Sequence, residues 1–147
     1  MKRKMLILGV ILITVLGSYA QKSEIFTSEG KAIKGYDPVA FFTQNMPVKG
    51  DEGFQYNWKN SAWFFSSKEN LEKFKADPEK YAPQYGGYCA YGTSEGHKAP
   101  TQTDTWTILD NKLYFNYNKK VKELWVPNQM ALIHKADSLW PAIRDKN

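Results

Sequence analysis

Cysteine is nearly absent from this chain of 147 residues, since Cys89 is the only one. A single thiol cannot close a disulfide within the chain, which excludes a disulfide-stabilised scaffold and also a CxxC redox motif. Histidine is almost as scarce, at two residues, and no Gly-rich phosphate loop or Ser/His/Asp arrangement is visible. The sequence therefore gives no support to an enzymatic activity, and we expect a non-enzymatic protein.

Long hydrophobic runs are also missing, since the longest is the 11-residue stretch LILGVILITVL at 6–16. A membrane-spanning helix needs about 20 apolar residues, so this run is too short to cross a bilayer comfortably. It follows the basic segment MKRKM and precedes GSYA, with small residues at Ser18 and Ala20. This order is typical of a secretory signal peptide, and the alternative is an uncleaved N-terminal anchor. We therefore expect a signal peptide over 1–20 and an exported protein, periplasmic or secreted, with no membrane segment after cleavage.

Dense basic runs of the kind that bind nucleic acid are missing from the rest of the chain. Removing Lys2, Arg3 and Lys4 with the leader lowers the formal net charge from +5 to +2. We therefore expect no nucleic-acid partner. The remaining length suits one domain with its own core. We assign that domain to residues 33–147, after a flexible lead-in over 21–32.

Aromatic residues are abundant, at 15% of the chain. The segments FQYNW (54–58) and AWFF (62–65) flank a short polar link, which predicts a β-hairpin. The segment TWTILDNKLYFNY (105–117) predicts a second hairpin that turns at Asp110-Asn111. Large aromatic side chains bury enough area for a compact core without a disulfide.

Helix starts and stops are marked by polar caps and prolines. Asp37 before Pro38 predicts an N-cap followed by a first helical residue. Ser66 opens SSKE, a capping-box spacing that places Glu69 at the third helical position. This second helix should stop near Ala76, ahead of an Asp-Pro pair.

The C-terminal part continues the pattern of hairpin followed by helix. Asn118 predicts another N-cap, and a last helix should run from about Pro127 toward Trp140. The glycine-rich stretch 86–100 has no clear period and is predicted to be a loop. The fold class is therefore α+β, with two β-hairpins packed with short helices and C-terminal helices. The residues expected to share one core are Trp63, Phe65, Leu71, Phe74, Tyr81, Trp106 and Ile108.

Five short segments follow one another in an order that is specific as a set. They are DPVAFF (37–42), WFFSS (63–67), ENLEKF (69–74), DPEKY (77–81) and YGGYCAYG (85–92). In this set the chain resembles the YHS domain, in its branch of small exported proteins, over residues 33–117. The resemblance implies a small metal-binding module of the kind found near proteins that handle copper and other heavy metals.

The chain departs from that family at two positions. The resemblance implies cysteines after the DPV element and after the aromatic strand. Ala40 and Ser66 stand there instead. Neither residue can supply a thiolate, so the fold transfers by resemblance and the family's ligand set does not.

The remaining soft ligands point to copper rather than to harder metals. The inventory comprises Cys89, His97, His134 and methionines such as Met46 and Met130. Among these, Cys89 and His97 lie eight residues apart and are the candidate metal ligands. The alternative for Cys89 is a small buried hydrophobic side chain.

Two other functions remain open for the same region. His97 could activate Cys89 as the thiol of a redox protein or enzyme. Alternatively, Tyr85, Tyr88 and Tyr91 could line an aromatic pocket for a flat ligand such as haem. The leading hypothesis is an exported YHS-like module that binds copper or assists a metal-handling partner.

His134 is expected to lie apart from this region. Helical spacing places it with Met130 and Asp137 on the side opposite the apolar stripe, which predicts a solvent-facing side chain. The members of that stripe are Leu132, Ala136, Leu139, Trp140 and Ile143. A buried site that joins His134 to Cys89 is therefore disfavoured, and a peripheral Met130–His134 pair is the most that this face offers.

We predict that the mature protein begins at Gln21, because small residues at Ser18 and Ala20 precede it as cleavage requires. The intact mass of the exported protein measures this directly. A mass that retains residues 1–20 would contradict the assignment and indicate an uncleaved anchor.

Overall fold

Short strands alternate with short helices in a computed structural model that describes residues 23–146. The strands are β1 (Thr27–Ser28), β2 (Lys31–Ala32), β3 (Asp51–Trp58), β4 (Ser61–Phe65), β5 (Gln102–Leu109) and β6 (Lys112–Asn116). The helices are α1 (Pro38–Thr43), α2 (Lys68–Ala76), α3 (Pro78–Tyr81), α4 (Ala90–Ser94), α5 (Lys119–Trp125) and α6 (Gln129–Arg144). The predicted α+β class is confirmed, and the predicted signal peptide lies outside the described residues.

Both predicted hairpins are present. Strands β3 and β4 pair antiparallel around a turn at Lys59 and Asn60, and β5 pairs with β6 around Asp110 and Asn111. All four turn residues have positive φ, as a two-residue type I′ turn requires. The first hairpin extends into a four-stranded sheet of order β1-β2-β4-β3, in which β2 runs parallel to β4.

The segment before residue 33 differs from the expected flexible lead-in. Strands β1 and β2 form part of the larger sheet, and Ile25 is buried in the core. The backbone N–H of Phe26 also donates to the carbonyl of Gly86 at 2.8 Å. The start of the described chain is therefore a structural element and not a tether.

Three of the predicted helix boundaries are confirmed. Asp37 caps α1 with Pro38 as its first residue. Helix α2 ends at Ala76, and Asn118 caps α5 by accepting a hydrogen bond from the N–H of Val121 at 2.8 Å. These boundaries were predictable because caps and prolines act locally.

The predicted N-cap of α2 is wrong by one residue. Ser67 caps the helix, and its hydroxyl accepts from the backbone N–H of Asn70 at 3.1 Å. Ser66 is unavailable as a cap because its N–H and its hydroxyl both donate to Asp37. Glu69 therefore falls at the second helical position, where it pairs with the side chain four residues later.

The predicted loop over 86–100 is wrong in part, because it contains the five-residue helix α4. Cys89 caps this helix, and its Sγ accepts from the N–H of Gly92 at 3.4 Å. An isolated helix of this length is not stable in water, so its packing against α6 and β6 must hold it. No apolar period in the local sequence announces such a helix.

Strand β6 divides the interior into two clusters, because successive side chains of a strand point to opposite faces. Leu113 and Phe115 join the larger cluster, whereas Tyr114 joins a smaller cluster beneath α6. The predicted core is confirmed in the larger cluster. Its predicted members are Trp63, Phe65, Phe74 and Tyr81, which are buried, and Leu71, Trp106 and Ile108, which are partly buried against them.

Helix α6 covers the smaller cluster. Ile133, Ala136 and Ile143 are buried, so the apolar stripe is confirmed in part and also includes Ile133. His134 is exposed, as predicted. The helix continues past Pro141 to its end, although the sequence suggested a stop there. Across residues 23–146, none of the helices has the length and apolar character needed to cross a bilayer.

We predict that Phe74→Ala lowers the free energy of unfolding by about 3–5 kcal/mol, because a fully buried ring is lost. The Phe74 ring lies 5.1 Å from the rings of both Trp63 and Phe65. Urea denaturation measures the change. Leu124→Ala is the matched control, because Leu124 is 58% exposed and its truncation should cost under about 0.5 kcal/mol. A loss at Phe74 as small as the control's would contradict the packing of α2.

Candidate functional site

The Cys89 thiol lies in the interior, where α4 begins beside β6. The residue is 1% exposed. Its Sγ accepts hydrogen bonds from the backbone N–H groups of Gly92 at 3.4 Å and Tyr117 at 3.3 Å. The thiol hydrogen points to Oδ1 of Asn116, with the two heavy atoms 3.6 Å apart. The sulfur is therefore enclosed in a small polar cluster.

Asn116 is the partner that fixes this cluster. It is completely buried, and its Oδ1 also accepts from the N–H of Tyr91 at 3.2 Å. Its backbone N–H donates to the hydroxyl of Thr105 at 2.8 Å. Its Nδ2 is buried and finds no acceptor among the described residues. The interior beside Cys89 therefore contains one unused hydrogen-bond donor.

The protonation state of Cys89 follows from its burial. Desolvation raises the pKa of the thiol and outweighs the N–H groups of Gly92 and Tyr117, which act in the opposite direction. The thiol is therefore neutral near pH 7. A nucleophilic cysteine needs the reverse shift, so the geometry gives no support to the thiol-enzyme alternative.

His97 reaches the same helix from its other end. Gly96, at φ +92°, follows the last turn of α4 in the left-handed conformation. The N–H of His97 donates to the carbonyl of Gly92 at 3.1 Å, and the N–H of Gly96 donates to that of Thr93 at 3.0 Å. This pair of bonds is a Schellman motif, which folds the chain back over the helix. The exposed imidazole therefore lies over Gly92, where its Nε2 would be 3.3 Å from a Cβ.

Cys89 and His97 thus each approach one residue, Gly92. The N–H of Gly92 faces the sulfur, and the absent side chain of Gly92 leaves room for the imidazole. His134 is not part of this arrangement, because it lines a separate cavity of about 230 Å³ with Met130. Within residues 23–146, no group of three or more His, Cys, Asp or Glu side chains is placed to hold a metal ion.

The two positions at which the resemblance implies cysteines surround a buried carboxylate. Asp37 is completely buried, and its Oδ1 accepts from the N–H groups of Val39 at 2.9 Å and Ala40 at 3.2 Å. Its Oδ2 accepts from the N–H of Ser66 at 2.8 Å, the hydroxyl of Ser66 at 2.7 Å and Nδ2 of Asn70 at 2.7 Å. Hydrogen bonds therefore occupy both carboxylate oxygens. These residues do not fit a soft metal, because no sulfur ligand is present and the oxygens are already used.

The Asp37 network extends well beyond what the sequence predicted for that residue. Its role as an N-cap was visible from the neighbouring proline. Its contacts to Ser66 and Asn70 span 29 and 33 residues of sequence. No local pattern relates residues so far apart, so only the fold could identify them.

The three tyrosines around Cys89 pack against the smaller cluster instead of lining the haem pocket that was the alternative prediction. Tyr85 and Tyr88 are buried, with their rings 5.9 Å and 6.4 Å from that of Trp140. Tyr91 is partly buried against the smaller cluster. Tyr85 lines a cavity of about 190 Å³, below the range of about 300–1,000 Å³ that accommodates drug-sized ligands. The geometry therefore gives the haem alternative no support.

The central part of the chain matches a known protein family. Residues 39–85 match the model of the YHS domain, a family associated with metal handling, including copper. No curated protein and no solved structure matches the chain. The match includes β3, β4, α2 and α3, and it ends four residues before Cys89.

We predict that Asp37→Asn lowers the free energy of unfolding by about 3–5 kcal/mol. An amide can no longer accept from all the donors around it, so buried donors lose their partners. Chemical denaturation measures the loss. Asp104→Asn is the control, because that carboxylate is exposed and its ion pair with Lys119 is long at 3.7 Å. Equal stabilities of the two variants would contradict the role assigned to Asp37.

Proposed function

Because residues 39–85 make this chain a YHS domain-containing protein, we propose that it is an exported, non-enzymatic module that binds Cu(I) through Cys89 and His97. The observation that carries the proposal is that the sulfur and the imidazole both approach Gly92. In this role the protein holds copper for a metal-handling partner. The association of the YHS domain with metal handling supports the class of function.

The chemistry of the two side chains selects the metal. A thiolate is a soft ligand, and an imidazole suits copper equally well. Zinc in a structural site takes four protein ligands, and residues 23–146 present no such set. Two protein ligands suit Cu(I), which accepts a low coordination number. Ala40 and Ser66, which stand where the resemblance implies cysteines, supply no ligand to this site.

The surroundings of the sulfur favour a thiolate once a metal replaces the proton. The N–H groups of Gly92 and Tyr117 already point at Sγ. The buried Nδ2 of Asn116, whose Oδ1 lies 3.6 Å from the sulfur, has no acceptor in the described part of the chain. Such outer donors stabilise metal-bound thiolates and fix their orientation. Burial also protects the single thiol from mixed disulfides in an oxidising compartment.

Export is proposed on the N-terminal pattern alone. The basic segment, the apolar run at 6–16 and the small residues before Gln21 together support it.

We predict that Cys89→Ser and His97→Ala each weaken Cu(I) binding at least tenfold, or about 1.4 kcal/mol. His134→Ala is the matched control and should bind like the parent, because His134 lines a separate cavity. Competition with a coloured Cu(I) chelator measures the three affinities. If all three variants match the parent, Cys89 is a buried hydrophobic residue and the proposal fails.

We also predict that the apparent Cu(I) affinity rises with pH by about tenfold per unit between about pH 7 and pH 8.5. Burial raises the pKa of the Cys89 thiol, so the proton stays bound over this range and copper must displace it. The same chelator competition, repeated across the range, measures the slope. A flat profile would contradict thiolate ligation. The profile of Cys89→Ser should lose the slope.

A further inference from the structure

The junction between α5 and α6 exposes apolar side chains to solvent. Of the five large apolar side chains that are exposed among residues 23–146, four lie between positions 117 and 130. They are Tyr117, Leu124, Val126 and Met130, and Pro127 is exposed beside them. Single exposed apolar residues are ordinary in soluble proteins, whereas several within one short stretch mark an interaction surface. The members at the junction itself, Leu124, Val126, Pro127 and Met130, form what we call the α5–α6 corner.

A buried anchor fixes this corner in the fold. Trp125, the last residue of α5, is completely buried, and its ring centre lies 5.7 Å from that of Tyr114 in β6. Because Trp125 takes the interior position, its neighbours Leu124 and Val126 are left exposed. Met130 follows in the first turn of α6 and is also exposed. The apolar surface is therefore a fixed feature of the fold.

Positive charge is concentrated in the same stretch of the chain. Residues 117–135 contain four lysines and one glutamate. From residue 23 onward, the rest of the chain contains twelve basic and fourteen acidic residues. The stretch around the corner is therefore basic, although the remainder has a slight excess of acidic residues.

Two of these lysines are exposed and make no ion pair within residues 23–146. They are Lys120 in α5 and Lys135 in α6. Lys120 lies four residues before Leu124, so one exposed face of α5 carries both an ammonium group and an apolar side chain. The ion pair of Lys119 with Asp104 is exposed and long, at 3.7 Å, so it neutralises that lysine only weakly. The corner can therefore present several ammonium groups to an anionic surface.

A groove of about 430 Å³ beside the corner does not select an acidic peptide. Two carboxylates and two ammonium groups line it, those of Asp104, Glu123, Lys119 and Lys122, so its formal charges cancel. In addition, Nζ of Lys122 donates to the carbonyl of Trp106 at 2.9 Å, which holds this lysine against β5. The excess positive charge therefore lies outside the groove, where a broad anionic surface can contact it.

We propose that the α5–α6 corner binds the surface of an anionic lipid bilayer. Leu124, Val126 and Met130 enter the boundary between the headgroups and the acyl chains, and the lysine ammonium groups lie among the lipid phosphates. A bilayer surface of uniform negative charge suits a corner that combines exposed apolar side chains with an excess of lysine. The contact is peripheral, and it does not depend on the copper site.

The test is co-sedimentation of the mature chain with sucrose-loaded vesicles. This chain begins at Gln21, so the apolar run at 6–16 cannot contribute to binding. The vesicles contain phosphatidylcholine with about 30% phosphatidylglycerol, and vesicles of phosphatidylcholine alone are the neutral comparison. We expect binding to the anionic vesicles to be at least about tenfold stronger than binding to the neutral ones, and to decline as salt screens the lysines.

Single substitutions separate the charged from the apolar contribution. Lys120→Gln should weaken binding about fivefold, because one lysine near an anionic surface contributes roughly that factor. Leu124→Gln should weaken binding at least about threefold, because less apolar surface enters the bilayer. Lys68→Gln in α2 and Met46→Gln between α1 and β3 are the matched controls and should bind like the parent. All four side chains are exposed, so each variant should fold like the parent.

Four results would overturn the proposal. If anionic vesicles leave the chain in the supernatant, the corner does not bind a lipid surface, and equal binding to neutral vesicles would exclude a role for the lysines. Equal losses in the variants and in their matched controls would place the contact elsewhere on the chain. A concentration-dependent dimer in sedimentation velocity that Leu124→Gln abolishes would assign the corner to a second copy of this chain.

Discussion

The buried carboxylate of Asp37 holds the matched domain together. No salt bridge within residues 23–146 reaches it, and five hydrogen bonds from α1, from the end of β4 and from α2 stabilise it instead. Burying an unpaired charge is costly unless its hydrogen bonds are complete, so each donor has to stay where it is. This requirement fixes α1 and α2 against the first hairpin. Ala40 and Ser66 donate hydrogen bonds to this carboxylate and therefore contribute to stability. Because neither residue carries a sulfur ligand, any ligands for a soft metal must lie elsewhere in the chain.

That chemistry has its best available ligands in the part of the chain that follows the matched domain. Strand β6 divides the interior, and the Cys89–Asn116 contact ties α4 to the end of that strand. The short helix then brings His97 back over Gly92 through its C-terminal cap. A thiol and an imidazole eight residues apart thereby approach the same glycine. The copper proposal depends on this local geometry, and the YHS match supplies only the class of function.

The sequence predicted those features that arise from neighbouring residues. Hairpins follow from alternating aromatic residues and Asn-containing turns, and most helix ends follow from caps. It did not predict α4, because Cys89 is an uncommon cap and tertiary packing stabilises so short a helix. It did not predict the contacts of Asp37, whose partners are distant in sequence. It also suggested a helix end at Pro141, whereas α6 continues to Arg144.

In the proposed site, a single thiolate and a single imidazole hold copper beside Gly92. X-ray absorption at the copper edge of the Cu(I)-loaded mature protein tests it most directly, because sulfur and nitrogen ligands scatter differently. We predict one sulfur and one imidazole nitrogen in the first coordination shell, with the sulfur lost in Cys89→Ser. A shell without sulfur, or a spectrum that Cys89→Ser leaves unchanged, would contradict it.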